Sequence, residues 1–385
     1  MRVGIFSECY HPTLNGVVIS IDTFKAELEK RGHKIFIFAP GKSNCKDNPF
    51  NIFRYPALPW PKDYPLAFPF LAPLQNSQIR DLGLDIVHSQ HIFTMGRLGM
   101  RVAHQLDIPM MHTYHTLITE YSHYIPLFPK NFTKNIIVNL SRKYCNKCNQ
   151  VVTPSSQMKK ILRSYGIKTP IEVIPTGVYL ENFKDPYHKE VLKTKWQIPE
   201  DKIILLYVSR IAKEKNLDFL FKAIKLLHQK RQDFHLLMVG GGPELEYYQN
   251  LVKKWELSSY VTFTGMQEKE KANRFFGAAD IFVFPSITET QGIVITEAMA
   301  SGIPAVAIDK MGPSDIIKNG VDGFLTPLNI DSFCAKIETL LNNKKLREKF
   351  GAQALKDAEN FSAKVCADKM EILYERTINN FKNYT

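Results

Sequence analysis

What most constrains this chain is an alternation of strand and helix signals that runs through it twice. Short apolar runs bounded by turn residues mark strands at Val3–Phe6, Lys34–Phe38, Asp85–His88, Met110–Tyr114, Gln150–Thr153 and Glu172–Ile174. Segments of helical period lie between them. One is Val17–Lys30, with Ile21, Phe24 and Leu28 on one face and Gly32 just beyond, where a left-handed cap costs little. Strands that alternate with helices predict a parallel sheet covered on both faces. Periodicity lapses at Thr176–Pro186 and the pattern then restarts: Lys202–Val208, a helix at Leu217–Leu227, His235–Val239, a helix near Glu244–Trp255, Val261–Thr264, Asp280–Phe284 and Pro304–Ile308.

A chain of 385 residues exceeds what one ordinary core accommodates. The expectation is therefore α/β, with two Rossmann-like, doubly wound domains, 1–180 and 181–362, followed by a helical tail at about 363–385. Ligands of such sheets sit at the carboxyl ends of the strands, so two of them facing across a cleft suit a two-substrate reaction.

No apolar run reaches the ~20 residues that span a bilayer. Glu8 is foreign to the apolar region of a signal peptide, which leads to the expectation of a cytoplasmic protein. The six cysteines are scattered. Cys145-x-x-Cys148 has no second pair at zinc-site spacing, and is expected to be two half-buried thiols on a helix. The formal charge of +12 implies an anionic partner: nucleotide, nucleic acid or anionic lipid. The charge is uneven, since Lys130–Lys168 carries nine basic residues and no Asp or Glu.

The run F-P-S-I-T-E-T-Q-G-I-V-I-T-E-A-M-A-S-G-I-P (Phe284–Pro304) places Glu289, Gly292 and Glu297 where a strand gives way to a helix. The N–H groups of Gly292, Ile293 and Val294 at a helix start form a natural phosphate site. Glu297 lies about 5 residues into the helix, roughly 7–8 Å along its axis. One ligand could then place a sugar hydroxyl at Glu289, phosphate at the helix start and ribose hydroxyls at Glu297. Taken alone, Glu289 also fits a loop carboxylate, Glu297 a solvated helix residue, and Arg210 and Lys215 plain surface charges.

This stretch resembles the E-x7-E motif of retaining glycosyltransferases with the GT-B fold, of the family 4-like kind. Other segments carry the same resemblance in order: H-P-T-L-N-G-V-V, I-P-T-G-V, Y-V-S-R-I-A-K-E-K-N, L-M-V-G-G-G-P-E, V-T-F-T-G and M-G-P-S-D-I-I-K-N-G-V-D-G-F-L. The resemblance implies a C-terminal helix returning to the first domain, acceptor binding in that domain and nucleotide-sugar binding in the second. It implies donor-diphosphate roles for Arg210 and Lys215, close approach of phosphate at Gly16, and a place for His115, from M-H-T-Y-H-T, near the sugar's C6 hydroxyl. The acceptor hydroxyl would attack from the face the diphosphate leaves. With two cations and a helix end opposite that diphosphate, and no D-x-D in a plausible donor loop, neither metal nor cofactor is expected.

The segments Y-H-T-L-I-T-E-Y-S-H-Y-I-P, Pro56–Pro69 and L-S-R-K-Y-C-N-K-C are similar to the diacylglycerol glucosyltransferase branch. That branch implies UDP-glucose as donor, a lipid acceptor, and peripheral binding to the inner face of the cell membrane. Lys130, Lys134, Arg142 and Lys143, with Phe132, Ile136, Ile137 and Leu140 between them, have the spacing of a membrane-surface helix, or of a core helix with a solvated cationic face. Nucleic acid is not expected, because the run lacks the Arg–aromatic interleaving of single-strand binders. Phosphatidylinositol, a cell-surface glycan precursor, an acceptor-free epimerase and a non-catalytic binding protein of the same fold stand as alternatives.

Overall fold

The computed structural model describes residues 1–41, 50–58, 66–67, 76–117 and 130–384; for Leu66, Asn76, Ser77, Lys130, Asn131, Phe132 and Tyr384 it describes the backbone alone. The chain forms two compact units, Met1–Gly177 with Ala363–Thr385, and Val178–Ser362.

The strands of the first unit are β1 (Arg2–Phe6), β2 (Lys34–Pro40), β3 (Ile52–Tyr55), β4 (Ala57–Leu58), β5 (Leu66–Ala67), β6 (Ile86–Ser89), β7 (Met110–Thr113), β8 (Gln150–Thr153) and β9 (Ile171–Val173). Seven of them make one sheet in the order β3-β2-β1-β6-β7-β8-β9, with β4 and β5 as a separate antiparallel pair. Every pairing in the large sheet is parallel. The chain winds outward from β1 to β2 and β3, then crosses back to β6, so the order reverses between β1 and β6. That reversal opens a crevice at the carboxyl ends of these two strands.

The C-terminal helix Ala363–Tyr384 completes this unit. Its Cys366, Ala367, Met370, Leu373 and Tyr374 share a core with Val17, Val18, Ile21, Phe24 and Leu28 of the Gly16–Lys30 helix and with Val3, Ile5 and Ile37 of the sheet. Ionic contacts rim the apolar seam. Arg31 donates to Asp368 at 2.6 Å, and the His33 ring meets Glu371 at 2.7 Å.

The second unit contains β10 (Ile203–Val208), β11 (Phe234–Val239), β12 (Val261–Phe263), β13 (Ile281–Phe284), β14 (Ala305–Ile308) and β15 (Gly323–Thr326). They form one parallel sheet in the order β12-β11-β10-β13-β14-β15, which reverses between β10 and β13. Its central strands show no in-out alternation: Leu205, Leu206, Tyr207, Leu236, Leu237, Phe282 and Val283 are all fully buried, as a sheet covered on both faces requires. The helices Leu217–Lys230 and Ile330–Asn342 pack through Phe219 and Phe333, whose rings meet edge to face at 5.3 Å.

Candidate active site

The two loops that leave β10 and β13 lie side by side at the second unit's reversal point, and hydrogen bonds tie them together. Asn216 donates its amide to the Pro285 carbonyl at 2.9 Å, and the Thr288 hydroxyl donates to the Glu214 carbonyl at 3.1 Å. On this frame the Lys215 ammonium pairs with the Glu289 carboxylate. Both side chains are about one-fifth exposed (17% and 21%), so neither is the plain surface charge that the sequence also allowed. Ser286 donates a second, longer bond to Glu289 at 3.4 Å. The Glu289 carbonyl accepts Gly312 N–H at 2.8 Å, which docks the loop after β14 onto the loop after β13. A Cβ on Gly312 would stand 2.0 Å from the Gln291 carbonyl oxygen, so that approach requires glycine.

Gly292 has φ +90° and forms the cap of the Ile293–Ala300 helix; no side chain caps this helix start. Ile293 and Val294 are partly buried in the first turn. Glu297 is buried, and Lys269, the first residue of the Lys269–Phe276 helix, pairs with it. Glu297 is thus not a solvated helix residue, and Lys269 is a site residue that sequence reasoning missed. Arg210 is half exposed and pairs with Glu214, whose side chain is 8% exposed. Burial raises the Glu214 carboxyl, but its own backbone N–H, the Arg210 guanidinium and the Lys215 charge outweigh burial and hold it below its ordinary value. Next to this loop, Ile211 N–H donates to the Gly241 carbonyl at 2.8 Å, and Glu244 N–H returns a bond to the Ile211 carbonyl at 3.2 Å. The G-G-G-P turn is therefore a brace for the Arg210 loop.

In the first unit, Asn15 caps the Gly16–Lys30 helix by accepting from Val17 N–H and Val18 N–H, each at 3.0 Å. Gly16 opens this helix, and a Cβ there would meet nothing within 4 Å. Among the described residues, this face of Gly16 is open. His115 lies two residues past β7, with Nε2 at 2.6 Å from Oε1 of Gln90, the residue that follows β6. Burial first, then His91 and His112, pushes the His115 ring down to about 3. His112 turns elsewhere, to the Ser89 hydroxyl at 2.9 Å, and burial pushes it too down to about 3.

On the Lys130–Cys145 helix, Lys134, Arg142 and Lys143 are exposed. Ile136 is 40% exposed, but Ile137 is buried, so the apolar positions split between solvent and core rather than forming one outward stripe. The side chains of Lys130 and Phe132 lie outside the described residues, as do 59–65, 68–75 and 118–129, which include most of Pro56–Pro69 and the segment after L117. Cys145 and Cys148 are buried rather than half-buried, and Cys148 falls beyond the helix end. Burial pushes the Cys145 thiol up to about 12. Among the described residues, no group of three or more His, Cys, Asp or Glu could hold a metal ion.

Residues 14–182 match the family described as Glycosyltransferase Family 4, and 188–357 match that described as Glycosyl transferases group 1. The chain is 32% identical over 376 residues to the alpha-monoglucosyldiacylglycerol synthase of Streptococcus pneumoniae, covering 95% of this chain and 84% of the relative. It is 30% identical over 335 residues to a GDP-mannose-dependent alpha-mannosyltransferase of Corynebacterium glutamicum, covering 84% of this chain and 76% of the relative. Among solved structures, the sucrose-phosphate synthase of Thermosynechococcus elongatus superposes with a TM-score of 0.78 at 20% identity, over 99% of this chain and 100% of that one.

Proposed function

The chain belongs to the GT-B glycosyltransferases of group 1 and family 4, and on that premise we propose that it transfers glucose from UDP-glucose to diacylglycerol with retention at the anomeric carbon. The observation that carries this reading is the likeness to a synthase named for a glucosyl diacylglycerol product, extending over 95% of the chain. The Lys215–Glu289 pair at the sheet reversal gives that likeness a chemical centre.

In this reading the second unit binds the nucleotide sugar and the first binds the lipid acceptor. The diphosphate lies against Arg210, Lys215 and the start of the Ile293–Ala300 helix, where Gly292, Ile293 and Val294 present backbone N–H groups. Glu297 accepts from the ribose hydroxyls and Glu289 from a hydroxyl of the sugar. From the first unit, Gly16 is assigned to phosphate and the neutral His115 imidazole to a sugar hydroxyl.

The bond between the anomeric carbon and the diphosphate oxygen breaks, and the acceptor oxygen bonds to that carbon on the same face. The acceptor's proton passes to the departing phosphate. Charge develops on the diphosphate, so two cations and a helix N-terminus stabilise the transition state more than the ground state. This step calls for neither a metal nor a cofactor.

Among the described residues, no helix is long and apolar enough to cross a membrane. We place the protein peripherally on the inner face of the cell membrane, held by exposed Lys134, Arg142 and Lys143 together with Lys130. Each such residue contributes ~1 kcal/mol near an anionic leaflet.

The likeness to a GDP-mannose-dependent enzyme supports a second donor reading. The test offers labelled UDP-glucose or labelled GDP-mannose with vesicles of diacylglycerol and anionic lipid, followed by organic extraction. Organic label from UDP-glucose, abolished by Glu289→Ala, is the expected result. Label from GDP-mannose alone would reassign the sugar, and a water-soluble product would exclude the lipid acceptor.

A further inference from the structure

We propose that Glu214 is a built-in competitor for the donor's diphosphate: its carboxylate pairs with Arg210, and nucleotide binding exchanges that carboxylate for phosphate. The inference rests on the donor reading above and deepens it.

Glu214 sits in the short 3-10 turn Lys213–Lys215, directly before the lysine that pairs with Glu289. Its side chain is 8% exposed, whereas that of its partner Arg210 is 54% exposed. Its backbone is held as well, since its carbonyl accepts the Thr288 hydroxyl at 3.1 Å. The carboxylate therefore cannot follow a departing guanidinium, and the arginine is the mobile member of the pair. Arg210 has a long stem and a planar fork that matches phosphate better than a point charge does.

Each cation of the cluster has a carboxylate beside it. Arg210 faces Glu214, and Lys215 faces Glu289. A diphosphate arriving there meets a compensated cluster rather than two free cations. It must draw Arg210 away and leave Glu214 ionised without that partner, held by its own backbone N–H and by Lys215. An ionised carboxylate left beside a bound diphosphate repels it, which weakens the complex and speeds nucleotide release. Such tuning suits an enzyme whose second product is the nucleoside diphosphate, because product held too tightly would limit turnover.

The test is calorimetric titration of the full chain with UDP and, in parallel, with GDP. Glu214→Gln keeps the side-chain shape and a carbonyl oxygen for Arg210 while removing the charge. It is expected to bind the nucleotide about threefold to tenfold more tightly, with the inhibition constant for added product falling by the same factor. Glu214→Asp, which keeps the charge, should stay near wild type. Glu246→Gln, an exposed change of equal charge on the Leu245–Lys254 helix, should leave the affinity unaltered. Unchanged or weaker binding by Glu214→Gln would overturn the proposal, because the carboxylate would then be inert or would hold Arg210 in place for the ligand. Equal tightening by Glu246→Gln would overturn it as well, since net charge alone would account for the effect. If the wild-type chain bound neither nucleotide, the donor reading itself would fail and this inference with it.

Discussion

Lys215 and Glu289 enter the chain 74 positions apart and meet as an ion pair where the order of the second sheet reverses. Each stands on a loop that leaves a central strand, and each is about one-fifth exposed. The pair is therefore accessible to a ligand yet shielded enough for its electrostatics to matter. On the proposed donor reading, Lys215→Ala should weaken UDP binding about tenfold, because a charge-assisted contact to phosphate would be lost and Glu289 left without its cation. Glu289→Gln should lower turnover about 100-fold while UDP affinity changes much less. Titration calorimetry and initial rates separate the two effects; full turnover in Glu289→Gln would remove that residue from the chemistry.

The first unit carries four histidines, two buried and two partly buried, that should make its stability acid-sensitive. Burial pushes His88, His112 and His115 down to about 3 and His91 to about 4, from an ordinary value near 6.5. Below pH 6.5 the unfolded chain binds protons that these four rings refuse in the fold. The stabilisation is therefore complete above about pH 6.5 and is lost as pH falls toward 4. Glu8, raised first by burial, works in the opposite direction, but it is one carboxyl against four imidazoles. Hydrogen exchange followed by mass spectrometry should show β6 and β7 losing protection between pH 7 and pH 5. Constant protection across that range would refute this account.

How much of the site the sequence displayed depends on how local each piece is. Glu289, Gly292 and Glu297 were legible because strand, turn and helix follow one another within Phe284–Pro304. Lys269 was not, since it reaches Glu297 by packing of two helices across 28 positions and no local signal marks it. Glu214 adjoins Lys215, yet its bond to Arg210 depends on a turn conformation that residue spacing does not reveal. Helical spacing placed Ile136 and Ile137 together, but neighbours on a helix diverge by about 100°, and only tertiary packing decides that Ile137 is the buried one. Likewise, β15 is four residues beginning at a glycine, too short to announce itself, and it forms because β14 offers a parallel edge.

A buried carboxyl in the second unit, Asp322, should produce the opposite pH response. Asp322 is 2% exposed, accepts Lys318 N–H at 2.8 Å through Oδ1, and has its Oδ2 buried. Burial, with Asp357 as a further cause, raises its carboxyl to about 6 from 3.8, against the pull of Lys318. Because the folded value is raised, the fold binds the extra proton between these values. This group's contribution grows as pH falls through 6 and is absent above it. Asp322→Asn removes a buried charge while keeping the acceptor for Lys318 N–H. It should stabilise the protein at pH 7.5, by at most about 3 kcal/mol, and have little effect at pH 4. Urea unfolding at the two pH values checks this, and equal shifts at both would contradict it.

Two neighbouring isoleucines should separate the proposed membrane binding from folding on the Lys130–Cys145 helix. Ile137 is 6% exposed, so Ile137→Ala should destabilise the first unit by about 2–4 kcal/mol through lost burial and a residual cavity. Ile136 is 40% exposed and stands near the exposed Lys134. Ile136→Ser should leave the unfolding midpoint within about 0.5 kcal/mol while weakening attachment to anionic vesicles. Neutralising Lys134, Arg142 and Lys143 together should remove about 3 kcal/mol of vesicle affinity, roughly 1 kcal/mol per charge, in a manner suppressed by added salt. Vesicle sedimentation at low and high ionic strength measures both effects. Activity on detergent-dispersed diacylglycerol should fall less than activity on vesicles, because dispersed lipid presents no charged surface to dock on. Equal losses in the two assays would mean that these residues serve the catalytic fold rather than the membrane.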